Sequence, residues 1–164
     1  RFEVALEANA SDQPDPNGSE RAEFLVSANP GQPPRPLRKV ASGGELSRVS
    51  LAIEVATQGQ DAAATLVFDE VDAGIGGAVA AAVGAKLRAL GASKQVLCVT
   101  HQPQVAAAGH AQYRVSKAAQ DGITQSSVTA LDVAGRVDEI ARMVGGADVS
   151  KEARAAAKKL LEGH

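Results

Sequence analysis

The chain has 164 residues, of which 45% are apolar and 22% charged, so it is long enough for one domain with a sizeable core. Its formal net charge of −2 argues against a surface that is basic overall, so nucleic-acid contact would need a local patch or a segment outside this chain. No apolar run approaches the length of a membrane span, about 18 residues. The one cysteine, Cys98, cannot form an internal disulfide, and its apolar neighbours predict a buried structural thiol.

The first 36 residues predict a β-hairpin followed by a proline-rich loop. Apolar and polar side chains alternate over residues 2–7 and again over 24–28, which is the period of half-buried strands. The turn-rich segment 12–19 joins these two runs. Four prolines within residues 30–36 are expected to interrupt regular structure.

Residues 37–110 predict helices that alternate with buried parallel strands. Continuous apolar runs at 65–68 and 95–99 are typical of strands buried on both faces of a parallel sheet. A helix is predicted between these strands and a short one after the second. The first helix of this region is expected over 45–58. Its apolar face is formed by Leu46, Val49, Ile53 and Ala56 and is widened by Leu51 and Val55.

Residues 111–164 predict two further strands and two closing helices. The strands are expected at 113–115 and 123–131. One helix is expected at 136–144, with Val137, Ile140, Ala141 and Val144 on its apolar face, and Ser150 is expected to cap a last helix. The order of elements predicts an α/β fold in one domain spanning 1–164. Its mostly parallel sheet would be flanked by helices and would carry a β-hairpin at the N-terminal edge.

The turn Ser42-Gly43-Gly44-Glu45, at the start of the first predicted helix, has two interpretations. Two glycines at a helix N-terminus allow a phosphate group to approach the backbone amides. The same residues also form a capping box, with Ser42 as N-cap and Glu45 at N3, which needs no ligand. The turn taken by itself favours the capping box.

Polar side chains follow both buried strands of the central region. Asp69, Glu70 and Asp72 come directly after one strand, and His101 comes after the other. Ligands of open parallel sheets bind beyond the carboxyl ends of the strands, so these side chains are expected to share one site. Capping of the next helix would explain one carboxylate but hardly all of them.

An apolar strand that ends in Asp-Glu is a Walker B pattern. In that pattern Asp69 would hold Mg²⁺ through its water shell, and Glu70 would orient the water that attacks a γ-phosphate. His101 would approach the same phosphate from the neighbouring strand. The pattern is weak by itself, and the combination with the glycine turn and the strand-end histidine is far more specific.

These motifs, in this order, resemble those of ABC-type ATPases. Ser42-Gly43-Gly44-Glu45 is similar to their signature motif and residues 66–70 to their Walker B motif. Asp72 is similar to their D-loop aspartate, and His101 to their switch histidine.

The resemblance is closest to a bacterial, SMC-like branch of these ATPases that acts in DNA repair. Glu45 stands where transporter subunits usually have Gln, which speaks against a transporter subunit. The segments that carry the narrower resemblance are 41–48, 68–77, 100–106 and 139–143.

The resemblance implies an ATPase of double-strand break repair and recombination in the bacterial cytoplasm, with ATP and Mg²⁺ as cofactors. Two heads would sandwich ATP, so that Ser42, Gly43, Gly44 and Glu45 of one head meet the nucleotide held by the other. Asp72 would belong to the nucleotide site, and Glu70 and His101 would act on the nucleotide bound in their own head. The implied partners are an N-terminal ATPase lobe, a second head and DNA, with no membrane.

The sequence contains no G-x-x-x-x-G-K-[ST] loop and no heptad segment. In SMC-like proteins those elements form an N-terminal lobe and a coiled coil. The chain is therefore expected to be the C-terminal lobe of an ABC/SMC-type P-loop ATPase head, inactive by itself. Its parts would be 1–36, 37–110 with the motifs, and 111–164.

An alternative function is a DNA-tethering or dimerisation module without catalysis of its own. Lys151, Arg154 and Lys158 form a basic stripe at helical spacing on the last predicted helix. A solvated helix face explains the stripe more simply, and we prefer that interpretation.

Overall fold

The computed structural model of the chain describes residues 1–9, 16, 18–27, 31–39, 42–57, 63–120, 123–146 and 148–163. It is a mixed α/β structure, in agreement with the predicted fold class. Among the described residues, no helix has the length and apolar character that a membrane crossing requires.

The N-terminal part is an antiparallel sheet in which β1 (Phe2–Ala8) pairs with β2 (Glu20–Val26). This confirms the predicted hairpin, although most of its connection at 12–19 lies outside the described residues. A short strand, β3 (Arg35–Pro36), pairs with β2 where the sequence predicted no regular structure. A proline is tolerated there because β3 is an edge strand. One turn of 3₁₀ helix, Leu37–Lys39, follows.

The central part contains the predicted alternation of helices and strands. Helices α1 (Gly43–Thr57) and α2 (Gly77–Leu90) enclose strand β4 (Thr65–Phe68) in sequence. Strand β5 (Gln95–Cys98) then pairs with β4 in parallel, and the short helix α3 (Pro103–Ala108) follows it. Parallel pairing brings the carboxyl ends of β4 and β5 to the same edge of their sheet.

The β4–β5 sheet is buried on one face, not on both as predicted. Phe68 is 5% exposed and packs with helix residues such as Leu51 and Leu87, whereas Val67 on the opposite face is 68% exposed and Leu97 48%. The described helices supply apolar contacts to one side of the sheet only. The continuous apolar run correctly indicated that both faces of the sheet are apolar. No described element covers the second face, so the side chains on it are exposed.

The predicted buried face of α1 is correct at Leu51 and Val55, which pack in the first apolar core, and wrong at Leu46 and Ile53. Leu46 is 50% exposed and Ile53 53% exposed, while Gly44 and Leu51 are buried. Apolar residues occur on more than one side of this helix, so periodicity identified the helix but not the side that meets the core.

The C-terminal part has an antiparallel pair, β6 (Tyr113–Gln120) and β7 (Ile123–Ala130), followed by α4 (Val133–Gly145) and α5 (Lys151–Glu162). The Ser150 hydroxyl accepts a hydrogen bond from the Ala153 amide at 3.1 Å, which confirms the predicted cap of α5. A second apolar core joins α3, α4 and α5 through the buried residues Ala107, Ile140, Ala141, Ala153 and Ala157.

Candidate functional site

The ends of β4 and β5 bring two of the predicted site residues into contact. Ring atom Nδ1 of His101 lies 3.5 Å from Oδ2 of Asp72. The two residues are far apart in sequence and meet because parallel strands end at the same edge. The side chain of His101 is 67% exposed, so the ring stands at the surface of the site.

Asp72 is buried, with 1% of its surface exposed. Its Oδ2 accepts hydrogen bonds from the Thr100 hydroxyl, from the His101 amide at 3.0 Å and from the Gln102 amide at 3.2 Å. A buried carboxylate needs such donors because it has lost its water. The hydrogen bonds of this carboxylate therefore go to the segment that follows β5.

These contacts set the charge of Asp72. Burial by itself would raise the pKa of the carboxyl, but hydrogen bonds from Thr100 and from the amides of His101 and Gln102 outweigh it. The resulting pKa lies below the ordinary aspartate value, so Asp72 is an anion at neutral pH. That anion lies beside the imidazole ring of His101.

Gln102 adds a contact that sequence reasoning missed. Its Nε2 donates to the Ile75 carbonyl at 2.7 Å and lies 3.3 Å from Nε2 of His101. Residues 69–76, here called the strand-end loop, are thus tied to the end of β5 at Asp72 and at Ile75.

The turn at the start of α1 packs against the strand-end loop. A Cβ atom on Gly44 would lie 2.8 Å from the Glu70 carbonyl oxygen and 2.8 Å from the Ala73 Cβ, so only glycine fits. A Cβ atom on Gly43 would lie 2.6 Å from Oε2 of Glu70. Gly44 therefore allows close approach of the loop backbone, whereas the atom that faces Gly43 is the end of an exposed glutamate side chain, which can move.

The remaining residues of this turn differ in exposure. Ser42 directly precedes α1, and its carbonyl accepts the Leu46 amide at 3.1 Å. Ser42 and Gly43 are exposed, and Glu45 is half-buried. Ala41, the first residue of the predicted motif, lies outside the described residues.

Two side chains of α1 bind the strand-end loop directly, and neither was predicted. The Ser47 hydroxyl donates to the Asp69 carbonyl at 2.7 Å. Nη1 of Arg48 donates to the Ala73 carbonyl at 2.8 Å and to the Val71 carbonyl at 3.3 Å. The sequence places Arg48 in the second turn of an amphipathic helix, where a solvent-facing role is the ordinary expectation.

Asp69 and Glu70 are the exposed carboxylates of the site. Glu70 has a backbone φ of 56°, in the left-handed region that favours glycine. No other described residue except glycine has a positive φ. The loop holds Glu70 in this conformation, in part through a hydrogen bond from the Ala73 amide to its carbonyl at 3.0 Å.

Within the described part of the chain, no group of three or more His, Cys, Asp or Glu side chains is arranged to hold a metal ion. Mg²⁺ is usually bound by one or two carboxylates together with water and substrate phosphates, so it does not need such a group. The exposed carboxylate of Asp69 at the end of β4 fits this type of binding. Asp72 does not, because its carboxylate is buried and already accepts several hydrogen bonds.

Cys98 lies at the end of β5 but is not suited to nucleophilic chemistry. Burial, with a contribution from the nearby carboxylates of Asp72 and Asp69, raises the pKa of the thiol to about 12. The thiol therefore stays protonated, in agreement with a structural role.

The basic stripe on α5 is partly neutralised within the chain. Arg154 forms an ion pair with Asp138 of α4 at 2.7 Å. Lys151 and Lys158 are exposed. This pairing reduces the positive charge that the stripe could offer to DNA.

Comparison with known proteins gives sequence relatives for nearly the whole chain. No protein-family model matches it. The chain is 65% identical over 159 residues to the DNA repair protein RecN of Xylella fastidiosa, a match that covers 97% of this chain and 28% of that protein. It is 48% identical over 161 residues to the DNA repair protein RecN of Vibrio cholerae, covering 98% of this chain and 29% of that protein. The chain thus spans less than a third of the length of these relatives.

Solved structures with the same fold are heads of SMC proteins. One, from work on ATP-driven dimerization and DNA-stimulated activation of SMC ATPases, has a TM-score of 0.53 and is 20% identical, covering 86% of this chain and 81% of that one. Another, an Smc head domain with a coiled coil and joint from Pyrococcus yayanosii, has a TM-score of 0.58 and is 22% identical. It covers 85% of this chain and 25% of that one. The matched part of RecN is its C-terminal part, so the chain is homologous to the C-terminal part of RecN and has the fold of an SMC ATPase head.

Proposed function

We propose that this chain is the C-terminal head lobe of an SMC-like ATPase that acts in DNA double-strand break repair and recombination. The observation that carries the proposal is the contact between three predicted motifs. The start of α1, the strand-end loop and the His101 segment form one hydrogen-bonded unit. The RecN relatives and the SMC head fold support the same activity.

The exposed side chains of this unit have distinct proposed roles. Glu70 accepts a proton from the water that attacks the γ-phosphate of ATP, and its exposure leaves room for that water. His101 donates a hydrogen bond to the same phosphate. Asp69 would hold Mg²⁺ through water, and the ion would supply positive charge beside the phosphates. Asp72, expected in the nucleotide site, takes part through its contacts with His101.

The start of α1 serves a second head in this proposal. Ser42 and Gly43 are exposed at a helix N-terminus, where backbone amides and the helix dipole favour a phosphate. Their partner is the nucleotide bound by the other head, so that each head completes the site of its partner. Glu45, at the first turn of α1, would support the same turn.

The other partner is the N-terminal lobe of the same protein, which would supply the phosphate-binding loop. The uncovered apolar face of the β4–β5 sheet supports this, because Val67 and Val99 are 68% and 63% exposed there. An apolar sheet face of this kind is ordinarily covered by another layer. A coiled coil would connect the two lobes.

The test is the substitution Glu70→Gln in the full-length protein that contains this chain. We expect ATP binding and ATP-driven dimerisation to persist while kcat for hydrolysis falls at least about a hundredfold, because the amide cannot accept the proton. Phosphate release and analytical ultracentrifugation measure the two effects. Glu7→Gln, an exposed glutamate of β1, is the matched control and should leave kcat unchanged.

Two results would contradict the proposal. Normal turnover by Glu70→Gln would remove Glu70 from the role of general base. Turnover by the 164-residue chain without the N-terminal lobe would show that it is not half of a divided site.

A further inference from the structure

Arg48 of α1 donates hydrogen bonds to the strand-end loop on both sides of Asp72. Its Nη1 donates to the carbonyls of Val71 and Ala73, the two residues adjacent to Asp72 in sequence. A guanidinium is planar and carries its donors in a fixed arrangement, so one side chain can hold two carbonyls at a defined separation. The position of Asp72 is therefore set by α1.

Asp72 in turn fixes the segment that carries His101. Its Oδ2 accepts the amides of His101 and Gln102, and the His101 ring lies 3.5 Å away. The side chain of His101 is 67% exposed, so little packing restrains it. The hydrogen bonds to Asp72 act here together with those of Gln102, which binds Ile75, Thr100 and the first amides of α3.

We propose that Arg48 and Asp72 are positioning residues. Through them, the position of the N-terminus of α1 determines the position of His101. This inference rests on the proposed function, in which that N-terminus meets a second head. A displacement of α1 on docking of the second head is then transmitted to His101. It passes through Arg48, the carbonyls of Val71 and Ala73, and Asp72. Neither positioning residue touches the nucleotide.

Burial makes this connection stiff. Asp72 is 1% exposed, so water cannot replace a donor that moves away, and a displaced donor leaves a buried anion without its partner. Gly44 packs against the Glu70 carbonyl and against Ala73, which leaves the loop no room to slide along α1. The strand-end loop and the first turns of α1 therefore move as one body.

A double-mutant cycle in the full-length protein tests the inference. Arg48→Met keeps the aliphatic stem and removes the donors, and Asp72→Asn keeps the shape and removes the charge. Each variant should lower kcat for ATP hydrolysis about tenfold, because a misplaced group loses catalytic effect while binding is retained. KM for ATP and ATP-driven dimerisation should stay within about twofold of wild type.

The double variant shows whether Arg48 and Asp72 act along one connection or independently. Since both residues act along one connection, the double variant should be no slower than the slower single variant. Arg48→Lys should recover part of the loss, since an ammonium can hold one of the two carbonyls. Effects on kcat that multiply in the double variant, or an unchanged kcat in either single variant, would overturn the inference.

Arg136→Met is the matched control for Arg48→Met. Nη2 of Arg136 also donates to two carbonyls, those of Ala107 at 3.2 Å and Gly109 at 2.7 Å, but away from the strand-end loop. It should lower the thermal stability and leave kcat unchanged, and an equal loss of kcat would show that Arg48 acts only through stability. If Asp72→Asn does not fold, Thr100→Val removes one donor to the same carboxylate and takes its place in the cycle.

The Glu70→Gln variant separates this inference from the proposed function. Retained hydrolysis in Glu70→Gln would contradict the proposed function itself. Loss of hydrolysis in Glu70→Gln, together with independent effects of Arg48→Met and Asp72→Asn, would contradict the positioning role only.

Discussion

The strand-end loop and the helix pair α4–α5 differ in the kind of contact that holds them. The loop is fixed by hydrogen bonds from side chains of α1 and from the segment after β5, as Arg48 and Asp72 show. The helix pair is fixed by apolar packing, with Ile140 and Ala157 both fully buried. Packing is not directional, whereas each hydrogen bond of the loop defines the position of one atom.

This difference separates stability from function in the molecule. A loop fixed by hydrogen bonds at its backbone keeps Asp69 and Glu70 exposed to a ligand. A helix pair fixed by packing leaves no comparable opening and contributes mainly to the free energy of unfolding. Substitutions in the two regions should therefore affect different measurements.

The largest effect on stability is expected in the helix pair. Ile140→Ala would leave a cavity at a position with 0% exposure and should lower the free energy of unfolding by about 2–5 kcal/mol. Urea unfolding measures the loss, and Val133→Ala on the same helix, at 82% exposure, is the control. Activity per folded full-length molecule should stay unchanged. A loss of kcat in Ile140→Ala would contradict the separation of the two regions.

A smaller effect on stability, together with a loss of activity, is expected at the loop. Gly44→Ala would place a Cβ atom 2.8 Å from the Glu70 carbonyl oxygen, so the loop must shift. The free energy of unfolding should fall by about 1–3 kcal/mol through overpacking, and kcat should fall as well. Gly76→Ala, where a Cβ atom would meet open space, is the matched control. Equal free energies of unfolding and equal kcat values for the two variants would contradict this role of the Gly44 contact with the loop.

The smallest effect concerns acid stability of the helix pair. Hydrogen bonding to Arg142, which outweighs burial, holds the pKa of the Glu139 carboxyl below its ordinary value. Its contribution is therefore complete above the ordinary glutamate pKa, about 4.3, and is lost as the pH falls through the folded-state pKa. We expect less than about 1 kcal/mol, because Arg142 is largely exposed.

Chemical unfolding at a series of pH values checks this contribution. Glu139→Gln should show a shallower loss of stability on acidification than the unmodified chain, since it has no carboxyl to protonate there. Asp72→Asn removes the corresponding contribution of the loop and should flatten the same curve independently. A Glu139→Gln curve parallel to that of the unmodified chain would contradict the assignment.

The helix pair could be predicted from the sequence because its signals are local. Ser150 precedes α5 as an N-cap, and Ile140 and Ala141 of α4 lie on the predicted apolar face. The start of α4 was placed too late. The side chain of Asp132 caps this helix by accepting the Gly135 amide at 2.7 Å, so the helix begins before Gly135. The hydrogen bond of the Asp132 N-cap outweighs the low helix propensity of Gly135.

The candidate site could be predicted only in part. The placement of Asp69, Glu70 and His101 could be predicted, because parallel strands carry the residues at their ends to one edge of the sheet. The roles of Arg48 and Gln102 could not be found, because each binds backbone carbonyls of a segment more than twenty residues away. A carbonyl is present at every residue, so no sequence pattern marks the ones that are bound.

The backbone of Glu70 also bears on how this site is maintained. A left-handed conformation costs an ordinary residue about 1–2 kcal/mol, and asparagine or glycine would bear it with less strain. Stability measured by itself would therefore favour replacement of this glutamate. The protein accepts a less stable residue at the one described position where a non-glycine backbone is strained in this way. Backbone strain of this kind is typical of residues at functional sites, which agrees with the role proposed for Glu70, and screens for thermostable variants should avoid this position.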